Sequence, residues 1–301
     1  MKIWKLILGG ILLIGVLLGG WVYIQLRSID VEKISDDLWV LRGLGGNTAV
    51  LRTPEGNVIV DTMTVQLQGA RIREVARELT GSNTVMLINS HYHFDHTHGN
   101  PAFDRGIRVL STQRTLEHLN NLDADYWSGD AASLKPNETF SEQLELNIGG
   151  QQIILFHPGR GHTDGDLVAY FVNQNAVHLG DLHFNKLYPN IDLEAGGSVQ
   201  EWPASLDRVI ELNPAIVIPG HGATTNKTNL IEFKQFMVQL GSLAKEAADR
   251  NLDLDAFVQQ AEFTEDSGYE EISFFGVSGL DRHFVLTRAW QEATGNFTLS
   301  N

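Results

Sequence analysis

Three imidazoles and a carboxylate crowd into the six residues His91-Tyr92-His93-Phe94-Asp95-His96, directly behind the apolar run Val85-Met86-Leu87-Ile88. An apolar run of that length belongs inside a protein, so the fold must end a buried strand where several polar donors converge. Alternation in an extended segment aims His91, His93 and Asp95 the same way, and a turn after them brings His96 alongside. Neutral imidazole and carboxylate are borderline-to-hard ligands that favour zinc, with iron, manganese or cobalt compatible. The chain has no cysteine, so no thiolate narrows the choice.

The bland alternative is chance clustering among eleven histidines, or a solvated surface loop. The downstream sequence argues against it. His162 lies in Gly159-Arg160-Gly161-His162-Thr163-Asp164-Gly165-Asp166, Asp181 in His178-Leu179-Gly180-Asp181, and His221 in Pro219-Gly220-His221-Gly222. On these residues the chain resembles the metallo-β-lactamase superfamily from roughly residue 38 to 224, whose signature is H-x-H-x-D-H followed by a distant histidine, a bridging acidic or sulfur ligand and a final histidine.

The resemblance implies that His91, His93 and His162 hold one metal, that Asp95, His96 and His221 hold a second, and that the Asp181 carboxylate and a water span both, giving two Zn²⁺ per chain. A metal lowers the pKa of its water from ~16 to about 7, so a bridging hydroxide is available to attack a carbonyl. Asp95 is then the general acid/base candidate. Asp61, closing Val58-Ile59-Val60-Asp61-Thr62, resembles the family's aspartate that steadies ligand histidines through the ring nitrogen facing away from the metal.

His93 stands where the superfamily's di-iron reductases carry glutamate, which favours hydrolysis of an ester, lactone, thioester or β-lactam. Asp181 stands where the cysteine-bearing β-lactamases carry cysteine; an aspartate bridge is the habit of glyoxalase II and acyl-homoserine lactonases. Three alternatives remain: a dedicated β-lactamase, a mononuclear iron enzyme like the persulfide dioxygenases, and a non-catalytic metal-binding accessory protein of the envelope. The loop after the bridge offers substrate contacts, Lys186 for a carboxylate and Asn185 or Tyr188 for an oxyanion, and the glycine-rich Gly43-Leu44-Gly45-Gly46-Asn47 offers others. His98, His118, His157, His178, His183 and His283 fill no motif position; most read as core or surface residues, with His183 placed to face substrate and His98 to support the cluster.

Residues 1–27 read as a separate unit. Lys2 and Lys5 precede a run from Leu6 to Ile24 with no charge inside, flanked by Trp4 at one end and Trp21 and Tyr23 at the other. At ~1.5 Å per residue such a run approaches the ~30 Å of a bilayer core. It exceeds a typical signal core and lacks an Ala-x-Ala-like cleavage site, so an inner-membrane anchor with the enzyme on the periplasmic side is expected, with secretion after cleavage at Gly19-Gly20 as the alternative. Gly15 and Gly19 match a helix-pairing spacing too common to carry weight. The formal charge of −15, with no basic stripe, argues against nucleic acid; the partner that the resemblance implies is a small-molecule carbonyl substrate.

Residues 28–301 are expected to form the catalytic domain, 43% of the whole chain being hydrophobic. Strands are predicted at 38–41, 48–51, 58–60, 84–89, 107–110, 152–156, 167–171, 176–179 and 215–218, with helices at 67–79, 112–121 and 200–212. Beyond Asn226 the sequence is helix-rich, with Leu230, Phe233, Phe236, Met237 and Leu240 at helical spacing and a second stretch near 280–292. The resemblance implies a four-layer αββα sandwich, of α/β (α+β) class, with the metals at one edge and the helical tail covering it.

Overall fold

Strict alternation of side chains along the first strands builds two interfaces at once. The computed structural model describes residues 15, 17–274 and 277–297. Strands β2 (Leu38–Arg42), β3 (Thr48–Thr53) and β4 (Gly56–Val60) point Leu38, Val40, Ala49, Leu51, Val58 and Val60 into one buried cluster. Their alternate residues Leu41, Val50 and Ile59 enter another, beneath Ile72, Val75 and Ala76 of helix α1 (Gln66–Thr80). A strand buried on both faces reads as the continuous apolar runs seen in the sequence.

These strands belong to a seven-stranded sheet in sequential order, with β1 (Asp30–Lys33), β5 (Thr84–Ile88), β6 (Arg108–Thr112) and β7 (Glu138–Phe140). β1 to β4 pair antiparallel, and β4 to β7 run parallel. A five-stranded sheet holds β8 (Gln143–Ile148), β9 (Gln151–Phe156), β10 (Val168–Phe171), β11 (Ala176–His178) and β12 (Ile216–Ile218), in the order β12-β11-β10-β9-β8. It contributes Ile153, Leu155, Ala169, Phe171 and Ala176 to the cluster between the sheets. Its other face, through Phe156, Val168, Val177 and Val217, packs on the remaining helices.

Those helices are α4 (Trp202–Glu211), α5 (Lys227–Asp249), α6 (Leu254–Gln260) and α7 (Arg282–Thr294), so the layers run helix, sheet, sheet, helix. α5 buries Leu230, Phe233, Phe236, Met237, Leu240 and Ala244 along one stripe, and its first turn is capped by Asn226, whose side chain accepts from Thr228 N at 2.9 Å. Each such buried side chain contributes about 1.5–3 kcal/mol. Two short helices, α2 (Phe94–Thr97) and α3 (Gln113–Asn121), lie at the ends of β5 and β6. A separate hairpin, β13 (Ile272–Phe274) with β14 (Val277–Leu280), precedes α7.

The predicted strands and helices within 38–218 are all present, with ends shifted by a residue or two. The prediction missed β1, β7, β8, α6 and the hairpin. β1 (DVEK) and β8 (QLELNI) are polar on their exposed sides and carry too few apolar residues to stand out. Residues 17–27 are helical, and no helix among the described residues is long and apolar enough to cross a membrane. The larger part of the expected span, with Lys2, Trp4 and Lys5, lies outside the described residues.

Candidate metal centre

The sandwich ends that bring the donors together are the C-terminal ends of β4, β5, β9, β11 and β12. Asp61 follows β4 with φ 63°, a left-handed turn that swings its carboxylate beneath the next strand end, where it accepts from Ser90 N at 2.8 Å and Ser90 Oγ at 2.7 Å. After β5 the chain does not stay extended. His91 and His93 lie in a loop, and Asp95 and His96 sit in the single turn α2, with His93 at its N-cap. Alternation therefore does not align the cluster; a bend and a helical turn do.

His162 comes from the loop between β9 and β10, Asp181 from a 3-10 turn (Gly180–Leu182) after β11, and His221 from the segment after β12. The structure gathers all seven sequence-predicted ligands into two groups able to hold a metal ion. His91, His93, His162 and Asp181 form one, and Asp95, His96 and His221 the other, the donor atoms of each lying within 4.8 Å of one another. His93 Nδ1 is 3.1 Å from His91 Nε2 and 2.9 Å from His162 Nε2. Asp181 reaches both groups. Its Oδ2 is 3.8 Å from His91 Nε2 and from His162 Nε2, while its Oδ1 is 3.0 Å from His96 Nε2 and 3.4 Å from His221 Nε2.

The outward ring nitrogens fix this arrangement. His96 Nδ1 is 2.7 Å from Asp61 Oδ2, His91 Nδ1 is 3.0 Å from Ser90 Oγ, and His162 Nδ1 is 2.9 Å from the Asn190 carbonyl. His93 turns the other way, with Nε2 2.9 Å from Asp192 Oδ2, an oxygen that also accepts from the Tyr92 hydroxyl at 2.5 Å. Each outward N–H that donates leaves the inward nitrogen as a lone pair aimed at the centre. Asp61 thus touches His96 directly and His91 through Ser90. Asp192, Asn190 and Ser90 escaped the sequence reading: Ser90 adjoins the motif, but Asp192 lies about a hundred residues from its partner and only the fold joins them.

Two further observations test whether these residues suit a cation. His96 Nε2 and Asp181 Oδ1 are buried 3.0 Å apart but not aligned for a hydrogen bond, and neither makes one to any other group, although burying such atoms unpaired is costly. Backbone also crowds the centre: a Cβ on Gly46 would collide with the His96 ring, and one on Gly220 with Asp181 Oδ1. The donors are all nitrogen and oxygen, which suits zinc and harder divalent ions. The residues fit.

The electrostatics are of one piece. Burial pushes His91 well below the usual imidazole range, and burial with the nearby His93 takes His162 down to about 4. Burial acts the same way on His96, but the carboxylates of Asp181, Asp95 and Asp61 outweigh it and hold that ring well above its ordinary value. Asp181 is likewise held well below the usual carboxylate range, burial being overcome by His96, His221 and His91.

The three residues expected to contact substrate each have a partner within the chain. Lys186 Nζ pairs with Glu232 at 3.1 Å, the Tyr188 hydroxyl donates to Asp266 Oδ2 at 3.0 Å, and Asn185 Nδ2 donates to the Ala223 carbonyl at 2.9 Å. None of the three lines the cavity of about 130 Å³ that opens onto the donors, which is walled by Phe94, Phe184, Asn190, Ile272 and Leu280. The glycine-rich loop packs behind the centre, Gly46 N donating to the Asp95 carbonyl at 3.0 Å and Asn47 N to that of Gly220 at 2.7 Å. The other histidines stay out of the cluster. His98 pairs with Asp123, His118 with Asp164, His157 with the Asp166 carbonyl and His178 with that of Asn47, while His283 is exposed. His183 is fully buried against Phe233 and faces no cavity at the donors.

Comparison with known proteins agrees with this geometry. The family model described as "Metallo-beta-lactamase superfamily" matches residues 41–221, more than half of the chain. A metallo-beta-lactamase type 2 from Bacillus sp. (strain 170) is 25% identical over 215 residues, covering 68% of this chain and 80% of that protein. The 2,4-dinitroanisole O-demethylase subunit alpha of Nocardioides sp. (strain JS1661) is 22% identical over 240 residues, 79% of this chain and 71% of its own length. Among solved structures, a metallo-beta-lactamase from Pontibacter korlensis superposes with a TM-score of 0.60 at 23% identity, over 70% of this chain and 99% of its own, a likeness of fold.

Proposed function

We propose that this chain, which belongs to the metallo-beta-lactamase superfamily, is a hydrolase whose two donor groups hold two divalent metal ions, zinc foremost, for cleavage of an ester, lactone, thioester or β-lactam carbonyl. The observation that carries the reading is the convergence of six donors around Asp181, with the outward ring nitrogens of His91, His93, His96 and His162 held and the inward ones turned to the centre. Bound metal ions supply an activated water at neutral pH and polarise the carbonyl.

The chain's own residues do the rest. His91, His93, His162 and Asp181 would hold one ion, Asp95, His96 and His221 the other, with Asp181 shared. Asp95 lines the cavity at the donors, its Oδ2 3.2 Å from His221 Nε2 and 3.7 Å from His96 Nε2, and remains partly open to solvent. It orients the attacking water, takes its proton as the new C–O bond forms, and returns that proton to the departing oxygen, nitrogen or sulfur. Asp61 keeps the His96 ring from rotating while charge develops.

The test is elemental analysis of the purified chain together with turnover of nitrocefin, lactones and thioesters before and after chelation. About two zinc ions with chelator-sensitive turnover supports the reading. One iron with oxygen-dependent thiol oxidation, or no turnover of any carbonyl substrate by metal-loaded protein, overturns it.

The same proposal places the enzyme on a membrane through its N-terminus. Support comes from the uncharged run Leu6 to Ile24 behind Lys2 and Lys5, and from Leu17, Leu18, Trp21, Val22, Tyr23 and Ile24, all exposed on the described part of that helix. Fractionation of cells expressing the full chain decides it: recovery in the membrane pellet after high-salt washing is expected, and recovery in the soluble fraction overturns the anchor.

A further inference from the structure

Part of the cavity wall at the donors comes from outside the family-matched region. Ile272 and Leu280 are cross-strand partners in the hairpin β13–β14, which lies beyond residue 221, where the family match ends. The hairpin is held at both ends. Glu270 N donates to the Lys186 carbonyl at 3.0 Å and Tyr188 N to the Glu270 carbonyl at 3.1 Å, tying its start to the loop after Asp181. At its other end Asp281 caps α7, accepting from Phe284 N at 2.8 Å. A wall so mounted brings Ile272 and Leu280 into one cavity lining with Phe94 and Phe184.

The cavity's charge is one-sided. Beyond the donors, its described lining is four apolar side chains and the amide Asn190, with no lysine or arginine. Lys186, Arg282 and Arg288 are each paired with a carboxylate, of Glu232, Asp266 and Glu194 respectively. From Glu270 to Asp281 the sequence has three acidic residues and no basic one, within a chain of net charge −15. A substrate carboxylate seated against Ile272 and Leu280, away from the metal ions, would lose its water and find no cationic side chain in the lining. A hydrocarbon group loses nothing and buries apolar surface.

We propose that the C-terminal hairpin is the substrate-selecting wall of the site, and that it selects a neutral ester or lactone carrying an aliphatic or aromatic hydrocarbon group next to the reacting carbonyl. This rests on the hydrolase reading and narrows it to substrates whose acyl group seats against the apolar wall. In the reaction, water adds its oxygen to the acyl carbon, the acyl C–O bond breaks, and the proton goes to the departing alkoxide, giving acid and alcohol.

The test uses the full metal-loaded chain on matched nitrophenyl esters: acetate, hexanoate, and a hemisuccinate whose acyl group ends in a carboxylate, with nitrocefin as an anionic β-lactam. The expected result is a kcat/KM for hexanoate about 10- to 200-fold above that for hemisuccinate, the range a hydrophobic pocket gives. Ile272→Ala and Leu280→Ala, each checked for unchanged metal content, should compress the hexanoate-to-acetate ratio, and Leu280→Lys should raise hemisuccinate relative to hexanoate. Esters cleaved with equal or greater efficiency for hemisuccinate overturn the selection and leave the hydrolase reading standing. Turnover of none of the four by metal-loaded protein overturns both. Should a variant fail to fold, the unmodified chain's hexanoate-to-hemisuccinate ratio still decides.

Discussion

Around His96 the packing is polar: Asp61 on one nitrogen, Asp181 and Asp95 facing the other, and the backbone of Gly46 against the ring. Around Phe236 it is aromatic, with Phe263 at 4.7 Å, Tyr269 at 4.5 Å and Phe233 stacked at 5.9 Å between ring centroids. The first region is defined by which atoms point where, and the second by volume. A polar centre with several buried carboxylates and inward-facing imidazoles gains stability from a cation, whereas an apolar layer is indifferent to one. The donor end should therefore depend on metal and tolerate little chemical change. The helical layer should tolerate chemical change and depend on fill.

Asp181→Ala is the hardest blow to that contrast, because one carboxylate serves both groups. On the proposed two-metal reading, metal content should fall from two ions to one or none, and turnover by about 1,000-fold or more. An intact stoichiometry by elemental analysis would show that Asp181 does not bridge. On the other side, Phe236→Ala should cost about 3–5 kcal/mol in the denaturation midpoint and leave metal content at its original value. Loss of metal from that variant would mean that the two regions are one cooperative unit around the centre.

Asp61→Asn probes the join between them. It keeps the shape but weakens the acceptor for His96 Nδ1 and Ser90. Metal affinity should fall about 10- to 100-fold in a competition titration with a chelator. An unchanged affinity would reduce Asp61 to a strand-end staple.

This contrast also sets what could be read from the sequence. His91, His93, Asp95 and His96 were legible because four donors in six residues have few structural uses, and His162, Asp181 and His221 because each sits beside glycine at a strand end. Their backbone geometry was not: the extended alternation proved to be a loop followed by the turn α2. Asp192 was invisible because its role depends on the crossing of distant loops. The long helices showed in their apolar periodicity, but the hairpin did not, since two strands of three and four residues with one apolar wall leave no periodic trace. For Lys186 and Tyr188 the sequence shows a loop near the site but not their partners Glu232 and Asp266, which distant segments supply.

Asp166 sharpens the comparison by pH. Burial, its largest influence, lifts this carboxyl to about 7 against hydrogen bonds from Thr163 that favour the charged form. A carboxyl raised above its unfolded value of about 3.9 contributes full stability below that value and loses it as pH rises through the folded value. Between pH 4 and 7 the metal-free chain should thus lose stability relative to Asp166→Asn, by up to about 1.4 kcal/mol per pH unit. Parallel denaturation curves for the two proteins across that window would refute the shift.

Lys186 lies where the two regions meet and should matter least. Its φ of 58° puts a lysine in the left-handed region, which costs about 1–2 kcal/mol that glycine does not pay. Its ion pair with Glu232 is partly exposed and contributes about 0–1 kcal/mol. Lys186→Gly thus relieves strain, gives up a weak pair, and adds about 0.4–1 kcal/mol of unfolded-state entropy. These offset one another, so the denaturation midpoint should move by less than about 1 kcal/mol in either direction. Turnover of a neutral ester should stay within about 3-fold, because the ammonium faces α5 and not the donors. A drop of about 100-fold, confined to carboxylate-bearing substrates, would instead make Lys186 the counter-charge that the cavity otherwise lacks, and the hairpin's apolar wall would no longer decide what enters.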